Sequence, residues 1–346
     1  VKIGMLAPVA WRTPPEHYGP WERVAGLLTE GLVAAGHEVT LFATGDSITT
    51  AELDAVVPRG YAEDDSLDGR VQEALHIAHA LSRSAEFDLI HSHLDWLPLA
   101  LGGAWRAPLV TTVHGFSGPR ILPAYRAGLA DPRTAHLVAI SETDRHPSLD
   151  YIATVHHGID LDEFTATTAT GDALMILGRI HPDKGTADAI AIARAVGRPL
   201  LIAGIIHDQR YFDEQVAPHV DGDRVRYLGS IGGLERNRTL GSVSALLHPI
   251  HFDEPFGLSV VEAMACGTPV IAYRRGSMAE VIDDGVTGFS VTGIDEAITA
   301  VGHAAALDRR VVRATAERRF GVARMVEEYL AVYRRVIGAD VEPITR

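Results

Sequence analysis

Glu254 and Glu262 stand eight residues apart in the run from His251 to Gly267, around the start of a predicted short helix at 257–266. Glu254 precedes that helix in a loop, and Glu262 lies about two turns in, at roughly 3.6 residues per turn. Leu258, Val261 and Ala265 form the expected buried stripe, so Glu262 is expected to fall away from it. Gly267 can close the helix as a left-handed cap, and Thr268 and Pro269 lead into the next strand. The first-turn amides of Phe256, Gly257 and Leu258 have no partner inside a helix and would point out between the two carboxylates. Acceptors, donors and the positive end of a helix dipole together suit a polyhydroxylated ligand that carries a phosphate.

Other polar side chains fall at predicted strand ends. Arg179 ends one strand, and Lys184 follows just before a helix. Arginine offers a fork of donors and lysine a compact charge, but the spacing alone fits a surface pair on a turn equally well. His114 closes a strand and precedes Gly115, whose backbone is free to approach a ligand. His91 and His93 form a His-x-His pair whose imidazoles share one face, as metal ligands can. No second cluster supplies the remaining ligands, so no metal is expected, and a role lining an acceptor wall is the preferred reading. Trp11, Arg12, Trp96 and Arg120 are further candidates for that wall. Packing explains either tryptophan equally well.

The elements that must hold these residues read as alternating strands and helices, the pattern of doubly wound α/β folds. Strands are expected at 2–7, 38–43, 88–91, 109–113, 137–140 and 152–156, then at 173–177, 200–203, 225–228, 245–248, 270–272 and 288–291. Helices are expected at 21–35, 69–84, 187–196, 257–266, 295–307 and 323–337. Two sheet domains in tandem follow, 1–160 and 161–322, with the boundary in the polar, aperiodic stretch 160–172.

The chain has 346 residues, of which 47% are hydrophobic, enough for two cores. A net charge of -14 argues against nucleic acid or an anionic membrane as the main partner. The single cysteine, Cys266, cannot form an internal disulfide, and a reducing cytoplasm is the simplest expectation. Residues 1–6 read as a strand rather than a signal peptide, and no run reaches the ~20 apolar residues of a membrane helix.

Taken in order, these segments resemble the retaining family-4 glycosyltransferases of the GT-B fold. The run from Glu254 to Glu262 resembles that family's Glu-x7-Glu motif, and Gly178 to Gly185 its Gly-Arg-x-x-x-x-Lys-Gly segment. His157 to Asp160 resembles an Asn-Gly-Val-Asp segment, and Gly276 to Gly288 a closing strand–helix–turn pattern. Tyr18 to Thr40 is similar to the family's first helix and second strand. The resemblance implies two Rossmann-like domains facing across a cleft, with the C-terminal helix of about 323–346 crossing back onto the first. It implies transfer of a sugar from a nucleoside diphosphate sugar, UDP favoured over GDP, to a hydroxyl acceptor, with no required cofactor or metal.

By the same resemblance, Arg179 and Lys184 stabilise the leaving diphosphate, Glu254 holds the sugar, Glu262 holds the ribose, and His114 lies near the transferred sugar. Gly19 and Gly158 approach phosphate, and Gly204 and Leu228 flank the base. Pro20 departs from the glycine pair that many relatives carry here, since it has no amide hydrogen to offer a phosphate. Some relatives act on lipid-linked acceptors, so peripheral membrane contact stays open, although no basic amphipathic helix stands out. A GT-B epimerase and a non-catalytic nucleotide-sugar-binding protein are the alternative readings. The first would turn over donor without an acceptor, and the second would not turn over at all. No Gly-x-Gly-x-x-Gly opens a helix after the first strand, which argues against a dehydrogenase.

Overall fold

The structure, a computed structural model, describes residues 1–16, 18–116, 118–168 and 171–338. Ala169 and Thr170 of the expected linker, and residues 339–346 of the expected closing helix, lie outside the described residues. The chain divides into two compact units, Ile159–Gly321 and a unit formed by Val1–Gly158 with the chain from Val322 onward.

The first unit is built on parallel strands β1 (Lys2–Leu6), β2 (Glu38–Thr44), β3 (Glu52–Val57), β4 (Leu89–Ser92), β5 (Leu109–Val113), β6 (Ala135–Ala139) and β7 (Tyr151–Thr154). They form a seven-stranded sheet in the order β3-β2-β1-β4-β5-β6-β7. The middle strands are apolar on both faces, as a sheet covered by helices on each side requires: Ile3, Met5, Leu6, Leu89, Ile90, Leu109 and Val110 have no exposure. The helix Pro20–Ala34 starts on Pro20, whose fixed φ suits a first helical position, and buries Val24, Ala25, Leu28 and Leu32. The helix Val322–Val336 buries Met325, Val326, Tyr329, Val332 and Tyr333 in this unit.

Strand β3 is absent from the sequence reading. It is the sheet's edge, its Glu52 is exposed and its Asp54 bonds His79, so it lacks the apolar signal of a central strand. Charged side chains on an edge strand also discourage pairing with another chain.

The second unit carries β8 (Leu174–Leu177), β9 (Leu200–Ala203), β10 (Val225–Tyr227), β11 (Ala245–His248), β12 (Val270–Tyr273) and β13 (Gly288–Val291). These pair in parallel as a six-stranded sheet in the order β10-β9-β8-β11-β12-β13. Strand order reverses between β8 and β11 here, and between β1 and β4 in the first unit. In open sheets of this kind ligands bind beyond the carboxyl ends of the strands at that reversal.

Two helices of the second unit are too polar to show an apolar period in the sequence, Gly233–Ser242 and Arg309–Phe320. The second is anchored by Arg309, which is 9% exposed. Its guanidinium donates to Thr167 O (2.7 Å), Gly241 O (2.9 Å), Val243 O (3.0 Å) and Thr268 Oγ1 (2.7 Å). Among the described residues, no helix is long and apolar enough to cross a membrane.

Candidate active site

Arg179 and Lys184 follow β8, and Glu254 follows β11, so neighbouring strand ends at the reversal present them. Gly185 is left-handed (φ 70°), and a Cβ there would collide with the Pro249 carbonyl, so only glycine lets the two loops pack. His251 N donates to Asp183 O at 2.7 Å and ties the loops together. Lys184 Nζ then reaches Glu254 Oε2 at 3.0 Å and lies 4.4 Å from the centre of the Phe252 ring. Arg179, at the start of the same loop, has its side chain 30% exposed, and its nearest carboxylate, Asp183, is 3.9 Å away. Asp183 lies 2.7 Å from His181 Nδ1.

Burial alone would push the Glu254 carboxyl up. The His248 ring, 3.4 Å from Oε2, and the Lys184 ammonium outweigh burial and hold it down at about 2. Glu254 is therefore an anion at neutral pH, able to accept from ligand hydroxyls. Its carbonyl accepts from Ser277 N at 2.8 Å, which joins this loop to the helix Met278–Val281.

The helix Leu258–Ala265 begins at Gly257, which is left-handed (φ 88°). Its first-turn amides, including that of Leu258, are of the kind that lack an intrahelical partner. Phe256 is buried, its carbonyl accepting from Ser277 Oγ at 3.0 Å. Glu262 corrects the expected orientation. The helix is enclosed on every side from Val260 onward and Leu258 is only partly buried, so Glu262 does not fall away from a stripe. Glu262 is 5% exposed, with Arg236 Nη1 at 3.2 Å from its Oε1. Arg236 was not legible in the sequence, because it sits in the polar helix Gly233–Ser242.

Gly204 lies in the same unit, after β9, where a Cβ would collide with the Gly178 carbonyl. Its carbonyl accepts from Tyr227 Oη at 2.8 Å. Leu228 lies just past β10, and its amide donates to Ile202 O at 2.8 Å. Cys266 is fully buried, and burial pushes its thiol up to about 12, so it is an inert packing residue.

The remaining candidates belong to the first unit. His114 follows β5, is 8% exposed and stacks on Trp21 with ring centres 5.2 Å apart. Its Nε2 pairs with His93 Nδ1 at 2.9 Å and its Nδ1 with His157 Nε2 at 3.2 Å. Burial first, and the neighbouring imidazoles next, hold His114 well below the usual histidine range, so it is neutral.

His91 and His93 do share a face, with ring centres 4.4 Å apart, but neither has any exposure. His91 uses both ring nitrogens inside the protein, on Tyr333 Oη (2.6 Å) and Thr112 Oγ1 (2.8 Å), so it supports the closing helix and is not part of a substrate wall. Buried beside it, His93 supports His114 and likewise does not line a wall. Gly158 is also corrected. It is buried against Val322 and donates to Met325 Sδ at 3.0 Å, so its lack of a side chain serves helix packing rather than phosphate approach. Gly19 caps the helix Pro20–Ala34, and Trp96 and Arg120 are exposed. Among the described residues, no group of three or more His, Cys, Asp or Glu is placed to hold a metal ion.

Glu22 went unnoticed in the sequence. It is 3% exposed because it shares the buried helical stripe of Ala25, Thr29 and Leu32, which was the available signal.

Comparison with known proteins places this geometry in a lineage. Residues 21–163 match the model of Glycosyltransferase Family 4, and residues 163–305 that of Glycosyl transferases group 1. The chain is 27% identical to the glycogen synthase of Mycobacterium tuberculosis, over 90% of this chain and 89% of that protein. It is 29% identical to the D-inositol 3-phosphate glycosyltransferase of Saccharomonospora viridis, over 75% and 73% of the two chains. Among solved structures, AviGT4, a glycosyltransferase involved in avilamycin A biosynthesis, superposes with a TM-score of 0.74 at 27% identity, covering 98% of each chain. Anabaena HepE, solved in complex with UDP, superposes with a TM-score of 0.70 at 21% identity, over 97% of this chain and all of that one (100%).

Proposed function

The chain belongs to the family-4 glycosyltransferases and has their GT-B fold; from that premise we propose that it is a retaining enzyme that moves a sugar from a UDP-sugar to a hydroxyl acceptor without a metal ion. The observation that carries this reading is the Lys184–Glu254 ion pair at the β8/β11 reversal, next to a helix start, with Arg179 on the same loop after β8.

Each part has a role in that reaction. Arg179 and Lys184 neutralise charge as it builds on the departing diphosphate, where preorganised charge contributes most. The planar Arg179 fork suits two phosphate oxygens, and Lys184, held by Glu254 and Phe252, acts as a point charge. Glu254 and the first-turn amides after it bind the sugar hydroxyls. Glu262, oriented by Arg236, accepts from the ribose. Neutral His114, with both ring nitrogens engaged by His93 and His157, braces the strand end after β5 rather than bonding the reacting sugar or acting as a charged acid.

The bond from the anomeric carbon to the phosphate oxygen breaks, and a bond from that carbon to the acceptor oxygen forms on the same face. The acceptor's proton passes to the departing phosphate. Configuration is thereby retained.

The test is UDP release from a panel of UDP-sugars, with and without pooled hydroxyl acceptors, and with the product's anomeric configuration read by NMR. The expected result is acceptor-dependent release, unchanged by EDTA, a product of the donor's configuration, and a loss on the order of 100-fold in Arg179→Ala. Donor turnover without an acceptor, or an inverted product, would overturn the reading.

A further inference from the structure

A cavity of about 320 Å³ opens within the first unit where its strand order reverses, lined by Pro8 and Ala10 after β1 and by Leu94 to Leu97 after β4. That is the small end of ligand pockets, which run from about 300 to 1,000 Å³, and it leaves room for one ring. Trp11, Tyr18, Trp21 and Trp96 supply its walls. Tyr18 is 40% and Trp96 39% exposed, so part of each ring is open to a ligand, although Tyr18 also packs edge-on with Trp11 at 6.0 Å between ring centres. Aromatic faces combined with carboxylates match the two sides of a sugar ring, its apolar C–H face and its hydroxyl edge.

The charge of the lining is one-sided. Glu22, Glu73 and Asp95 line the cavity, and among the described residues no lysine, arginine or histidine does. Glu73 accepts from Tyr61 Oη at 2.8 Å, and Asp95 accepts from Tyr125 Oη. Glu22 differs from both. Its Oε1 accepts from Trp11 N at 3.2 Å, and among the described residues no side chain donates to it. Burial pushes its carboxyl up to about 7, against the opposing pull of its own amide and that of Trp11. A carboxyl buried this deeply with only backbone donors is short of partners, and a ligand hydroxyl or amine would supply one.

We propose that this cavity is the acceptor subsite, that it takes a single uncharged or amino-bearing sugar-like ring whose hydroxyl or amine donates to Glu22, and that it rejects rings carrying a phosphate or carboxylate. The assignment as acceptor subsite rests on the glycosyltransferase reading above. The ring specificity follows from the lining itself, because an anion entering it would meet three carboxyl groups and no described cation.

Saturation-transfer NMR on the full chain, with methyl glucoside, glucosamine and glucose 6-phosphate at equal concentration, tests the proposal. Methyl glucoside and glucosamine are expected to give signals about tenfold or more above glucose 6-phosphate. Trp96→Ala, at an exposed position whose loss leaves the core intact, is expected to abolish both signals. Glu22→Gln, whose amide oxygen still accepts from a hydroxyl but carries no charge, is expected to keep methyl glucoside and to weaken glucosamine. Binding of glucose 6-phosphate as strong as that of the other rings, silence from all three, or signals unchanged in both variants would overturn it. A UDP titration of the same samples separates the two readings: ring binding without UDP binding defeats the donor assignment and leaves the ring site standing, whereas UDP binding without ring binding defeats the ring site alone.

Discussion

Lys184 and Glu254 form a nearly buried ion pair, with side chains 17% and 13% exposed, and their energetics set a pH dependence. The folded carboxyl sits near 2, below its ordinary 4.5. A group whose pKa is depressed by folding adds stability above the unfolded value and loses it as pH falls through the folded one. Glu254 should therefore contribute on the order of 3 kcal/mol at neutral pH. That contribution should fade between about pH 4.5 and pH 2, the window set by the two values. Urea unfolding of the wild type and Glu254→Gln across that range would show two curves converging toward acid; a constant gap would mean the pair is not formed. The sequence singled out Arg179, Lys184 and Glu254 as candidates because each stands beyond a strand end or just before a helix, and Glu262 because it follows Glu254 by eight residues inside that helix. It could not show Arg236 against Glu262, since that pair joins two helices and leaves no local pattern. Nor could it show that His91 faces Tyr333, a contact spanning most of the chain.

At the scale of elements, the central strands were readable because burial on both faces leaves unbroken apolar runs, as in β5, β9 and β11. The polar helix Arg309–Phe320 was missed because its hold on the unit is polar, through guanidinium groups on carbonyls rather than an apolar stripe. Arg313 continues this, donating to Ala265 O at 2.6 Å and Phe164 O at 2.8 Å, and so fixes the end of the helix that carries Glu262. Arg309→Ala would leave several buried carbonyls unpaired, at about 1–3 kcal/mol for each group not rescued by water. A loss on the order of 3 kcal/mol in the second unit is expected. It should show in chemical denaturation and be accompanied by faster amide exchange in Leu258–Ala265. Unchanged exchange in that helix would show that Arg309 does not hold it.

For the whole molecule, the chain leaves the first unit at Gly158 and returns at Val322, so the second unit is an insertion between a sheet and its last helix. Only composition at 160–172 hinted at that junction, and no sequence pattern shows which sheet a terminal helix covers. The candidate residues divide between the units in the same way. Arg179, Lys184, Glu254 and Glu262 lie in the second unit, and His114 and the aromatic cavity in the first. A ligand that binds only the native second unit should stabilise it by roughly 2.7 kcal/mol at 100 times its dissociation constant. Calorimetric titration of UDP and of GDP into the intact protein and into Arg179→Ala tests whether the β8/β11 reversal is a nucleotide-sugar site. Saturable binding of UDP, weaker binding of GDP, and a loss of at least about tenfold for UDP in the variant are expected, as for removal of a charged phosphate contact. Equal UDP affinity in a folded Arg179→Ala protein, or no binding of either nucleotide by the wild type, would contradict that assignment.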